Sequence, residues 1–87
     1  MTPNITTLVL NLLISERKSQ RMLFSERILN CESLADIFKS SPEMKSNLIF
    51  ALAACTENPD GKAREELYRL AAFCEERIAA TQLSSAA

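Results

Sequence analysis

Thr7-Leu8-Val9-Leu10-Asn11-Leu12-Leu13-Ile14, near the start of an 87-residue chain, is the stretch on which the fold turns. Wound as an α-helix, it points apolar side chains in nearly every direction and leaves only Thr7 and Asn11, four residues apart, to face water. A helix that is apolar all round has to be enclosed. A chain this short is close to the size at which a single core becomes marginal, and three further short helices can hardly wrap a fourth. One reading is a central helix wrapped by the other segments of the same chain; the favoured expectation is that Ile5, Leu8, Val9, Leu12 and Leu13 form an oligomer interface, most simply a self-complementary dimer. Burying a Leu or Ile is worth roughly 1.5–3 kcal/mol, and leaving the set wet would create an aggregation-prone patch.

Outward from that stretch the punctuation is helical. Thr2 or Asn4 can cap the first turn. Ser15 to Gln20 then contains nothing apolar, before Met22, Leu23, Phe24, Ile28 and Leu29 resume the pattern and Leu34, Ile37 and Phe38 continue it. This reads as one long helix over about 5–30, with a kink or an exposed middle, followed by a shorter helix over 33–40. Ser33 with Asp36 suggests a capping box for the second.

Ser41-Pro42-Glu43 is a helix start: a hydroxyl N-cap, proline at the first helical position and an acid in the first turn. The helix it opens spans 42–57, with Met44, Leu48, Leu52 and Cys55 as its apolar stripe and Ile49 and Ala53 widening it. Asn58-Pro59-Asp60-Gly61 is the strongest turn in the chain. Asp60 can cap a last helix over 62–82, where Ala63, Leu67, Leu70, Ala71, Cys74 and Ile78 recur at three- and four-residue steps. Glu65 stands four before Arg69 to support it, and 83–87 is left as a frayed tail. The fold class is therefore all-α: one domain over 1–87, a small bundle with a long N-terminal helix and a C-terminal antiparallel helical hairpin, completed by oligomerisation.

Composition removes most chemistries. Histidine is absent, so Cys–His catalysis and the Glu-x-x-His ligands of di-iron bundles are excluded. Cys31, Cys55 and Cys74 are widely spaced among apolar neighbours and read as free thiols in a reducing compartment. Glu65-Glu66 and Glu75-Glu76 are adjacent pairs whose side chains diverge by about 100 degrees on a helix and cannot chelate together. A phosphate loop needs more than the single Gly61. The expectation is a protein that is not an enzyme, with no catalytic residues, no cofactor and no metal. The apolar segment is too short to span a bilayer and lacks the flanks of a secretory signal, so the reading is a cytoplasmic chain with no membrane partner.

Ser15-Glu-Arg-Lys-Ser-Gln-Arg-Met-Leu-Phe-Ser-Glu-Arg27 places Arg17, Lys18, Arg21 and Arg27 on one segment, which reads first as an ordinary solvated helix face and otherwise as a candidate face for contacting a partner. Nucleic acid is disfavoured, because the chain has a net charge of -1 and a pI near 5.4, whereas phosphate binders are typically basic. In size, charge balance and the pattern MTPNITTLVLNLLIS…ELYRLAAFCEERIAATQLSSAA, the chain resembles the small all-helical regulators of bacteriophages and prophages, including antirepressors. That resemblance implies a non-catalytic, self-associating module that regulates a partner protein by binding it, as an antirepressor inactivates a transcriptional repressor. The hairpin over 42–82 is also similar in kind to type III secretion chaperones or co-chaperones, which would make the partner a secretion client. Residues 62–77, with Glu65-Glu66-Leu67-Tyr68-Arg69, resemble the dimeric helical bundle of a plasmid copy-number regulator that binds RNA. Arg17, Lys18, Arg21 and Arg27 would then form its basic ridge.

Overall fold

The computed structural model describes residues 4–86, and side chains through residue 80. It holds five helices in chain order, α1 (Ile5–Ile14), α2 (Lys18–Leu29), α3 (Glu32–Ser40), α4 (Pro42–Glu57) and α5 (Ala63–Ala86), with no strand among the described residues. The expected long first helix is thus two. The chain leaves helical geometry at Ser15, where ψ is 126°, and again at Arg17, where ψ is 133°. The polar gap is a corner, and α2 folds back along α1.

That corner gives the five residues expected at an oligomer interface cover within their own chain. Ile5, Leu8, Val9, Leu12 and Leu13 are all buried within the single chain. α1 is enclosed by α2, α5 and α4, and its core residues join Ile28, Leu34, Ile37, Leu48, Leu52, Leu67, Leu70, Ala71 and both buried cysteines in one cluster. A straight helix over 5–30 would have taken α2 away from α1 and left that side bare; splitting it supplies the missing wall. The radius of gyration, 12.8 Å, is near the ~12 Å expected of a compact chain of this length. What α1 leaves in water is also not what its sequence suggests. Leu10 and Ile14 are exposed alongside Thr7, while Asn11 is half-covered.

Local chemistry explains most of the boundaries. The Asn4 side chain accepts the Thr7 amide at 2.7 Å and starts α1, whereas Thr2 lies outside the described residues. Ser41 accepts the Met44 amide at 3.3 Å with Pro42 opening α4. The start of α3 differs from expectation: it begins at Glu32 after Cys31, without a side-chain cap, so the Ser33–Asp36 box is not formed. In the α4–α5 turn, Asn58 accepts the Asp60 amide at 3.3 Å, and the Gly61 amide bonds the Asn58 carbonyl at 3.1 Å. A Cβ on Gly61 would stand 3.2 Å from that oxygen, tight enough to favour glycine. Asp60 pairs with Arg64 rather than capping α5, and Arg69 pairs with Glu66 rather than Glu65. α5 continues to Ala86 instead of fraying after 82, since nothing in Thr81-Gln82-Leu83-Ser84-Ser85-Ala86 is a helix breaker.

The two hairpin helices bury the stripes their spacing implies, with one shift. α5 buries Leu67, Leu70, Ala71 and Cys74. α4 buries Leu48, Ala51, Leu52, Cys55 and Thr56, so its stripe widens toward Ala51 while Ile49 and Ala53 stay exposed.

Candidate interaction surface

The four basic residues of the candidate face do not share a surface. Arg17 and Arg27 are exposed, Arg27 lying over the Phe24 ring at 5.5 Å. Lys18 is exposed and ion-paired to Glu57 at the end of α4, a contact worth under about 1 kcal/mol at such exposure. Arg21 is the correction: only 8% exposed, it is a core residue and not part of any partner-contacting ridge.

Arg21 sits where two helices end. Its Nε donates to the Thr56 carbonyl at 2.8 Å, and its Nη1 donates to the carbonyls of Ser15 at 2.9 Å and Glu16 at 3.0 Å. Thr56 is in the last turn of α4 and Ser15 caps the C-terminus of α1. The guanidinium therefore meets the negative ends of two helix dipoles and acceptors left over by helix termination. Its charge is met by carbonyl dipoles rather than by a carboxylate. Thr56 closes its own hydroxyl onto the Leu52 carbonyl at 2.7 Å, and no buried side-chain N or O among the described residues lacks a partner.

Glu75 plays the matching part at the other end of α1. Its Oε1 accepts the Thr6 amide at 3.1 Å, so a carboxylate from α5 serves the N-terminus of α1. Adjacent Glu76 is exposed, as are Glu65 and Glu66. Glu75→Ala should lower stability by about 1 kcal/mol, with Glu75→Gln costing less because it keeps an acceptor oxygen. A urea midpoint unchanged by either substitution would contradict that role.

The cysteines are free thiols, Cys55 and Cys74 buried and Cys31 half-buried. Desolvation pushes the Cys55 thiol above its ordinary range, with Arg64 pulling slightly back. Desolvation raises Cys74 too, and Glu75 adds to the rise. Both stay protonated, so neither is an activated nucleophile. A thiol-specific reagent is expected to label Cys31 readily, and Cys55 and Cys74 only as the chain opens; equal native labelling of all three would refute this burial. A thiol pKa raised by folding contributes stability that is complete below the unfolded value, roughly 8.5, and is lost as pH rises through the folded value. Urea stability should accordingly begin to fall once pH passes the unfolded value.

The remaining features are shallow grooves and apolar side chains in water. α2 and α4 run antiparallel, with Met22, Ser25 and Ala53 lining the groove between them beside the Lys18–Glu57 pair. Ile49 lies one turn before Ala53 on α4. Phe50 is 79% exposed and lines a separate groove with Asn47, Ala51, Lys62, Ala63 and Glu66 at the α4–α5 face. Ile14, 71% exposed, stands with Phe24, Arg17 and Gln20 at the outer corner of α1 and α2. These positions, with Leu10, Leu23 and Phe73, carry the uncovered apolar surface among the described side chains. A sequence signal for Phe50 exists: it falls off the Leu48–Leu52–Cys55 stripe.

No described helix is long and apolar enough to cross a membrane. No family model matches the chain, and neither a curated protein nor a solved structure matches it.

Proposed function

We propose that the protein is a non-catalytic, helical interaction module that self-associates and regulates a partner protein by binding it. The observation that supports this best is Phe50, the most exposed large apolar side chain among those described, with Ile49 and Ala53 exposed nearby on α4. Exposed aromatic and aliphatic groups beside a polar rim are the usual anchors of protein–protein recognition. Lys62, Glu66 and Asn47 supply such a rim around Phe50. The resemblance to small phage regulators suggests a transcriptional repressor as the partner, bound so that it is inactivated.

The RNA-binding alternative loses its ridge, because Arg21 is inside the molecule. The test is affinity capture from the native host with wild-type and Phe50→Glu proteins side by side. The variant should keep its helical spectrum and lose the partner. Retention of the same partner at undiminished yield would overturn the assignment of this face.

A further inference from the structure

The corner between α1 and α2 is built without a helix breaker. Ser15, Glu16, Arg17 and Lys18 include neither proline nor glycine; the chain's prolines are Pro3, Pro42 and Pro59 and its one glycine is Gly61. Glu, Arg and Lys are good helix formers and Ser only a little worse. Nothing local forbids one continuous helix over residues 5–29. In such a helix the carbonyls of Ser15 and Glu16 would accept from the amides of Ser19 and Gln20. Here the Gln20 amide turns to the Arg17 carbonyl at 3.1 Å. The Ser15 and Glu16 carbonyls are instead held by one atom, Arg21 Nη1. The guanidinium thus replaces two of the hydrogen bonds that straightening would restore.

We propose that Ser15–Arg17 is a hinge and Arg21 its latch, and that the chain has a second state in which α1 is exchanged between two copies. In that state residues 5–29 form one helix of roughly 37 Å. Each α1 then fills the slot between α2, α4 and α5 of the other copy. The occupant of the slot follows from its contents. Ile5, Leu8, Val9, Leu12 and Leu13 fit it already, and Glu75 already meets the Thr6 amide, so a second α1 restores every such contact. Left outside, the same five side chains would be wet, so the straightened form requires a partner copy. Exchange of an identical element is a low-cost route to a two-fold dimer, because only the hinge differs between the two states.

Lys18 provides a lock. It is the first residue of α2, and Arg17 before it has φ -93° and ψ 133°, the extended geometry that a following proline demands. Proline fits a first helical position, where the amide has no intrahelical acceptor. In a continuous helix the same proline would remove the bond to the Ile14 carbonyl and clash with that turn. Lys18→Pro should therefore preserve the bent chain and forbid the straight one.

The experiment is light scattering on full-length protein refolded from denaturant at low and at high protein concentration. Wild type should emerge as the 9.7 kDa monomer at low concentration. Refolded at high concentration, it should yield a species of twice that mass that persists on dilution, since release requires opening the core. Arg21→Met should shift the dimer to lower protein concentration, and Lys18→Pro should remain monomeric and helical throughout. If Arg21→Met does not fold, the wild-type and Lys18→Pro pair decides the matter. Wild type that stays monomeric at every concentration would overturn the proposal. So would a dimer that forms equally well with Lys18→Pro; that result removes exchange while leaving self-association through the Phe50 face standing. A Lys18→Pro chain unable to fold would contradict the hinge geometry itself.

Discussion

Arg21→Met is expected to destabilise the monomer by about 2–4 kcal/mol, although it replaces one long side chain by another on a helix. Met can keep part of the packing of the arginine stem, so the loss isolates the guanidinium. Three carbonyls lose their donor: those of Ser15 and Glu16 at the end of α1, and that of Thr56 near the end of α4. The bond to Thr56 is buried, so its oxygen recovers little from water, while the other two are partly open and recover more. The cost therefore lies below the sum of three charge-assisted bonds. Urea unfolding of dilute protein measures it, and a midpoint within error of wild type would show that the guanidinium holds nothing. Arg17→Ala is the control. Its side chain is exposed, and the change should be within about 0.5 kcal/mol.

The contrast between two arginines four residues apart shows where sequence reading stops. The helices α4 and α5 were legible because their signals are local. Ser41-Pro42 fixes the start of α4, Asn58-Pro59-Asp60-Gly61 its end, and Leu67, Leu70, Ala71 and Cys74 the buried face of α5. The corner at Ser15–Arg17 has no such residue. The guanidinium that holds its carbonyls also bonds Thr56, thirty-five positions away, and no short window along the chain contains that partner. One hint was present. Extending the stripe of Ile28 and Phe24 back by a turn lands on Arg21, so an arginine occupies a core position of α2. An arginine there needs acceptors inside the fold, and broken helix ends are the richest source of them. Once Arg21 is removed from the surface, the basic segment keeps Arg17, Lys18 and Arg27, of which Lys18 is already committed to Glu57. The candidate site moved for the same reason. Enclosure of α1 by its own chain shifts the free apolar surface from Leu8, Leu12 and Leu13 to Ile14, Met22, Ile49 and Phe50.

Leu12→Asp carries the largest expected effect, and its outcome separates the enclosed α1 from an α1 that merely lines an interface between folded chains. Leu12 has no exposed surface and lies in the common core with Leu48, Leu52 and Leu67. Truncation to Ala alone would cost about 2–5 kcal/mol through lost transfer energy and an unfilled cavity. A carboxylate at the same point adds a buried charge with no counterion in that apolar cluster, at a further cost of several kcal/mol. Together these approach or exceed the 5–15 kcal/mol that holds a typical domain folded. The variant should lose its helical circular dichroism altogether. Ile14→Asp, two residues on and 71% exposed, should leave the spectrum and the unfolding midpoint nearly unchanged. If α1 served only to join copies, Leu12→Asp would instead give a folded, helical monomer. That product would place Leu12 at a surface, and the enclosure of α1 by α2, α4 and α5 would have to be abandoned.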